Sequence, residues 1–308
     1  MKIAIIGAGG VGGYFGARLA AAGEDVTFIA RGAHLEAMSR DGLQVLSALG
    51  DLNLMPVKVE SDPANVGQVD IVLLAVKLWS TGEAAISAKP LMGPDTGIIS
   101  FQNGVDAISV LTSVLGKQHV MGGVAHIAAL IEKPGVIRHN GQMARLTFGE
   151  LNGSESSRAR KLHAACQRAK IESCLTNDIQ RLIWEKFVFL VGLSGMTSLT
   201  RMPIGPIRED RVTRELLREV MDEAVAVACA RGVHLPADVV DRQIKFVDSL
   251  PADMVSSMLG DLERGNRLEV EWLSGAVARL GLEAQVPTPI NRTIYAALKL
   301  YAEGMAIR

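Results

Sequence analysis

The sequence predicts an α/β protein: a doubly wound parallel sheet over residues 1–176, followed by an all-helical C-terminal domain over residues 177–308. Three observations carry this. The apolar run Ile3-Ala-Ile-Ile6 passes straight into the glycine pattern Gly7-Ala8-Gly9-Gly10-Val11-Gly12-Gly13 and then into an alanine-rich segment, which is strand, turn and helix in that order. Further continuous apolar runs, Val69–Val76 above all, have the composition of parallel strands covered on both faces, with helix-like stretches between them. Strand signals then cease near residue 176, and long segments of helical period take over. The first half is therefore of Rossmann type.

The first unit is the most specific. Its helix is closed by Gly23, and a second strand follows at Val26–Ala30. Gly7 permits the tight turn, Gly9 lets the backbone approach a pyrophosphate, and Gly12 lets the helix pack on the strand. The helix amides and dipole then face an anion held along residues Gly7 to Gly12. NAD-binding units usually place an Asp or Glu about 20 residues past the glycines to accept the ribose 2′-hydroxyl. Here the second strand ends in Arg31-Gly32-Ala33-His34, and Asp25 lies at its wrong end. A guanidinium at that position suits a 2′-phosphate, so the expected cofactor is NADP(H). The plainer reading makes Arg31 an exposed arginine opening the next helix.

Gly42–Leu46 and Leu52–Val57 read as a hairpin around Gly50-Asp51. The sheet resumes at Val69–Val76, at Gly97–Phe101 and at His119–Ala129, with crossover helices at 80–89 and 105–115. Val136–His139 and Ala144–Phe148 flank Asn140-Gly141, a two-residue hairpin signal. Helices are expected at Asp178–Leu199, Arg211–Arg231, Ala237–Val247, Asp253–Gly281 with an interruption, and Asn291–Glu303. The cleft between the two domains is the default place for an active site.

Composition excludes several classes. A net charge of −1 without blocks of like charge offers no footprint for nucleic acid. Cys166, Cys174 and Cys229 lie in no metal or redox spacing and are expected to be reduced and mostly buried; no metal site is expected. The first apolar stretch is broken at Gly7 and later ones stay short of a membrane span, so a cytoplasmic protein is expected. The sequence leaves oligomeric state open, a homodimer included.

Certain polar residues need a reason. Lys77 terminates an apolar strand at the carboxyl edge of the sheet, where a cation would face a bound ribose or phosphate, or simply be solvated. Asn103 sits at the same edge one strand later, in an Asn-Gly pair that is equally good as a plain turn. His126 reads as a structural histidine. Lys186 interrupts a helix that is apolar nearly all round, Leu182-Ile-Trp-Glu-Lys186-Phe-Val-Phe-Leu-Val191. Burying an ammonium is costly and lowers its pKa towards neutrality, although a snorkelling lysine would explain the position too. Leu190 and Ser194, one and two turns on, share its face. Ser257 and Glu269 lie on either side of a break at Gly265; spacing alone favours Glu269 as a surface charge.

Together these residues resemble the ketopantoate reductase (2-dehydropantoate 2-reductase) family over essentially the whole chain. The matching segments are Gly7–Gly13 with Arg31, Leu74-Ala-Val-Lys77, Gln102-Asn103-Gly104, Trp184-Glu-Lys186, and Ser256-Ser257-Met-Leu-Gly-Asp261 followed by Glu269-Val-Glu271. The resemblance implies an NADPH-dependent reductase of a small 2-oxo acid, in pantothenate biosynthesis. It implies that Lys186 is the general acid and that Glu269 positions it or the substrate and cofactor. Ser257 and Asn103 would bind substrate, Lys77 and Asn103 would lie near the cofactor ribose, and the strand at Ala128 would pass the nicotinamide. Where the family commonly carries asparagines on the lysine helix, this chain has Leu190 and Ser194. A leucine cannot hydrogen-bond a substrate hydroxyl, so a more apolar 2-oxo acid stands beside ketopantoate, and a non-catalytic NADP(H) sensor is the rival from another class.

Overall fold

Alternating burial builds the sheet. In a computed structural model that describes residues 1–304, the strand β1 (Lys2–Ile6) leads to helix α1 (Gly10–Ala21), β2 (Asp25–Ile29), α2 (Gly32–Asp41), β3 (Leu43–Ser47), β4 (Leu52–Leu54), β5 (Lys58–Glu60) and β6 (Val69–Leu74). Then come α3 (Thr81–Ser87), β7 (Met92–Ser100), α4 (Ala107–Leu115), β8 (Val120–Lys133), β9 (Val136–Glu150), α5 (Ser157–Arg168) and β10 (Glu172–Leu175). Ile3, Ile5, Ile71 and Leu73 enter one apolar core with Tyr14, Phe15 and Leu162. Ala4, Ile6, Val72 and Leu74 enter a second with Ala84, Ala85 and Leu111. With both faces covered, most positions of the central strands are apolar, which is why they read as apolar runs; the polar exceptions include Asp70, exposed near the start of β6, and Ser100, at the end of β7.

The strand order is β4-β3-β9-β8-β7-β6-β1-β2-β5, with β10 added on β9. The stretch from β8 through β5 is parallel, as expected, but β8 with β9 and β3 with β4 are antiparallel, so the sheet is mixed. The hairpin expected at Asn140-Gly141 is not there. β9 runs through it, and the reversal lies at Pro134-Gly135, where Lys133 pairs with Val136. Ile127 pairs with Ala144 while Ala128 pairs with Asn140, so residues 141–143 stand out of the ladder as a bulge. Gly141 takes a φ of +81° in it, the same left-handed conformation that a hairpin turn would have used. His139 Nε2 donates to the Met143 carbonyl at 3.0 Å and closes the bulge, while its Nδ1 accepts from the Ser47 hydroxyl at 2.9 Å.

The chain divides into two compact units, residues 1–102 with 107–179, and residues 103–106 with those from Gln180 onward. The expected break at 176/177 lies three residues before this division. The four-residue segment from Asn103 groups with the helices: Val105 packs on the helical core, and Asp106 accepts from Arg279 at 2.8 Å.

The second unit holds α6 (Ile179–Thr200), α7 (Ile204–Glu209), α8 (Arg211–Ala230), α9 (Val239–Ser249), α10 (Ser257–Glu263), α11 (Ser274–Glu283) and α12 (Pro289–Lys299). Among the described residues no strand follows β10. By length and composition α6 could cross a membrane, with a mean hydropathy of 1.3, but 61% of that apolar window is buried. Trp184, Phe187, Val188, Val191 and Met196 form its contribution to the core, shared with Leu217, Met221 and Val277. The long segment expected from Asp253 to Gly281 is two helices separated by residues 264–273, a stretch that holds Gly265 at a φ of +68° and the short turn Val270–Trp272, and the last helix is shorter than expected. α5 and the six-residue α7 had no sequence signal strong enough to name them, and α2 was foreshadowed only by the reading of Arg31 as its opening residue. Of the cysteines only Cys166 is buried. Cys174 and Cys229 are exposed, because they fall on the outward positions of β10 and α8.

Candidate active site

The glycine turn is built by close approach. Gly7 has a φ of +96°, and a Cβ there would sit 2.7 Å from the backbone of Ala75 and Val76, so no other residue fits. A Cβ on Gly12 would lie 2.2 Å from the Gly7 carbonyl oxygen, which seats α1 on β1. At Gly9, by contrast, nothing lies within 4 Å of a would-be Cβ. Gly9 is the N-cap of α1, no side chain caps the helix, and its first turn carries no acid. Open space in front of uncapped helix amides fits a dinucleotide pyrophosphate.

His34 braces this turn, a role the sequence did not signal. Its Nε2–H donates to the Ala8 carbonyl at 2.8 Å, and its Nδ1 accepts from the Gly135 N–H at 3.0 Å. Burial holds its pKa below the usual histidine value, so the neutral ring satisfies both bonds in one tautomer.

A cavity of about 250 Å³ opens beside the turn, with Gly7, Ala8, Arg31, Val76 and Glu83 in its wall. Arg31 follows β2, is the N-cap of α2 as the plainer sequence reading had it, and lines the cavity. Its Nη1 lies 2.7 Å from Oε1 of Glu83, a carboxylate from α3 that the sequence reading did not name. Lys77 does not end a strand, because β6 stops at Leu74. It is exposed in the loop beyond, with its ammonium 5.6 Å from the Trp79 ring centroid. Gln102 Nε2 donates to the Val76 carbonyl and to Thr81 Oγ1, both at 2.9 Å, tying the ends of β6 and β7 to α3. Ala128 is exposed at the register slip of β8. A Cβ on Gly10 would lie 2.1 Å from the carbonyl oxygen of Ala129, so this part of β8 runs against the first turn of α1.

In the helical unit, Lys186 Nζ donates to Asn103 Oδ1 at 2.9 Å. Burial pulls the Lys186 pKa down to about 8, and the negative charge of Glu269 opposes the fall. Glu269 is 8% exposed, so it is not the surface charge that spacing favoured. It is carried by the chain between α10 and the short turn Val270–Trp272. Leu190 and Ser194 stack on the Lys186 face of α6, with Ser194 buried. Ser257 heads α10 and is exposed. The neighbouring Ser256 is the cap, its Oγ accepting from the Leu259 N–H at 3.0 Å and from Thr197 Oγ1 at 2.7 Å.

The ketopantoate reductase PanE/ApbA family model matches residues 3–153, and its C-terminal counterpart matches residues 178–302. The chain belongs to the ketopantoate reductase family. A 2-dehydropantoate 2-reductase of Mesorhizobium japonicum is 35% identical over 323 residues, covering 98% of each chain. The crystal structure of a PanE/ApbA family ketopantoate reductase from Ralstonia eutropha superposes with a TM-score of 0.90 at 33% identity, again over 98% of each chain. A D-mandelate dehydrogenase with NADH and anilino(oxo)acetate shares the fold, with a TM-score of 0.89 at 20% identity over 98% of each chain. As a ketopantoate reductase family member, the protein is an NAD(P)-dependent oxidoreductase acting between a CH–OH group and the carbonyl of a small 2-oxo acid.

Proposed function

We propose that the protein reduces 2-dehydropantoate (ketopantoate) to pantoate with NADP(H), and that Lys186 is the proton donor. In this reading residues 1–176 hold the cofactor, with Gly7 to Gly12 at its pyrophosphate, Arg31 at the 2′-phosphate, Lys77 and Asn103 towards the ribose and Ala128 by the nicotinamide. Residues 177–308, together with Asn103, hold the substrate. The observation that carries the proposal is the Lys186 ammonium, which burial brings to a pKa of about 8 while it donates to Asn103.

When bound, the nicotinamide supplies the hydride that goes to the carbonyl carbon. The chain supplies the proton. Lys186 is charged at neutral pH and gives Nζ–H to the oxygen on which negative charge develops, an interaction stronger in the transition state than with the neutral ketone. Glu269 keeps the ammonium charged against the cost of burial, and Asn103 aims it through the hydrogen bond. Ser257 is a further substrate contact in this assignment.

Leu190 favours a second reading. One turn beyond Lys186, where the family commonly has an asparagine, it offers the substrate a methyl surface and no hydrogen bond, which suits a more apolar 2-oxo acid. The test is NADPH oxidation across a panel of 2-oxo acids including ketopantoate. Fastest turnover of ketopantoate supports the first reading, and fastest turnover of a branched or aromatic oxo acid supports the second. Tight cofactor binding with no turnover on any of them would make the protein a sensor and remove the assignment.

A further inference from the structure

The cavity beside the glycine turn holds a charge pair that the glycine pattern does not require. Arg31 and Glu83 meet at 2.7 Å with their side chains 69% and 62% exposed, so the pair contributes little to folding. Its place gives it another consequence. Arg31 follows the second strand, where a 2′-phosphate would be held, and Glu83 presents a carboxylate to the same corner from α3. Dinucleotide folds that use NAD place an acid there to accept the ribose 2′-hydroxyl, normally from the strand end itself. This chain has the cation on the strand end and the acid on the neighbouring helix.

We propose that Glu83 sets the cofactor selectivity of this protein. Its carboxylate accepts the 2′-hydroxyl of NAD(H), and the 2′-phosphate of NADP(H) displaces it from Arg31. The inference rests on the dinucleotide reading above. Binding of the phosphorylated cofactor then requires an ion pair to open and leaves two anionic groups as neighbours, whereas the unphosphorylated cofactor leaves the pair intact and gains an acceptor. Both forms bind, and the preference for NADP(H) is smaller than Arg31 alone would produce.

The experiment is equilibrium titration of the full chain with NADPH and with NADH, followed by nicotinamide fluorescence, for the wild type, Glu83→Gln and Arg31→Ala. Glu83→Gln is isosteric at an exposed position, and its melting curve should superpose on that of the wild type. It should tighten NADPH and weaken NADH, so that the ratio of dissociation constants moves about tenfold towards NADPH, on the order of 1.4 kcal/mol. Arg31→Ala should move the ratio the other way. An unchanged ratio in Glu83→Gln with a collapsed ratio in Arg31→Ala overturns the role of Glu83 and leaves the 2′-phosphate reading standing. An unchanged ratio in both variants overturns the two together.

Discussion

The Lys186 ammonium donates to the side-chain oxygen of Asn103 across 2.9 Å, joining the middle of a 22-residue apolar helix to a residue 83 positions earlier in the chain. The bond gives the ammonium a fixed direction.

Asn103→Ala should lower the pKa of Lys186 further, because the charged form loses an acceptor. In the wild type, turnover should fall as pH rises through about 8, where the donor loses its proton. In the variant this alkaline limb should move to lower pH, as read from kcat against pH.

The same burial costs stability. The folded pKa of Lys186, about 8, lies below its ordinary value of 10.5, so the unfolded chain binds more protons across that window. Stability should therefore rise with pH from about 8 to 10.5, and the cost should be fully present below 8. Lys186→Met removes it. Urea unfolding at pH 7 should show a gain of about 2–3 kcal/mol, fading towards pH 10.

Two neighbouring glycines should behave oppositely. Gly7→Ala forces a Cβ to 2.7 Å from backbone atoms at a φ of +96°, and should cost more than about 3 kcal/mol or prevent folding. Gly9→Ala meets nothing within 4 Å and should leave the melting temperature unchanged, while filling the space proposed for the pyrophosphate. Calorimetric titration with NADPH should show the loss at Gly9.

His34→Gln should weaken NADPH and NADH by the same factor, about tenfold, since it loosens the turn under the pyrophosphate and does not touch the 2′ position. A change in the ratio of the two affinities would place His34 elsewhere. Because its folded pKa is lowered from 6.5, the unfolded state takes up the proton more readily, and the wild type should lose stability as pH falls below that value. The variant should lose less.

Much of this was legible in the chain. β1 from Ile3 and β6 from Ile71 are buried on both faces, as apolar runs allow, and Gly7 and Gly12 stand where backbone meets backbone. The half-buried ammonium was legible because one lysine broke an apolar helix. What was not legible depends on folding in three dimensions. Asn140-Gly141 carries the same left-handed glycine in a bulge as in a hairpin, so local chemistry could not separate them. Glu83 and His34 lie on α3 and α2, and neither helix announces which atoms it will meet; the carboxylate reaches Arg31, and the imidazole reaches Ala8 and Gly135, only through the crossovers of the sheet. Glu269 read as a surface charge because spacing could not tell that the chain between α10 and α11 turns inwards.

The most direct measurement is the turnover of Lys186→Ala, with NADPH affinity determined on the same sample. The account predicts a fall in kcat of two or more orders of magnitude, about 3 kcal/mol, with an unchanged NADPH dissociation constant. A variant that binds NADPH normally and reduces its 2-oxo acid at the wild-type rate would contradict it.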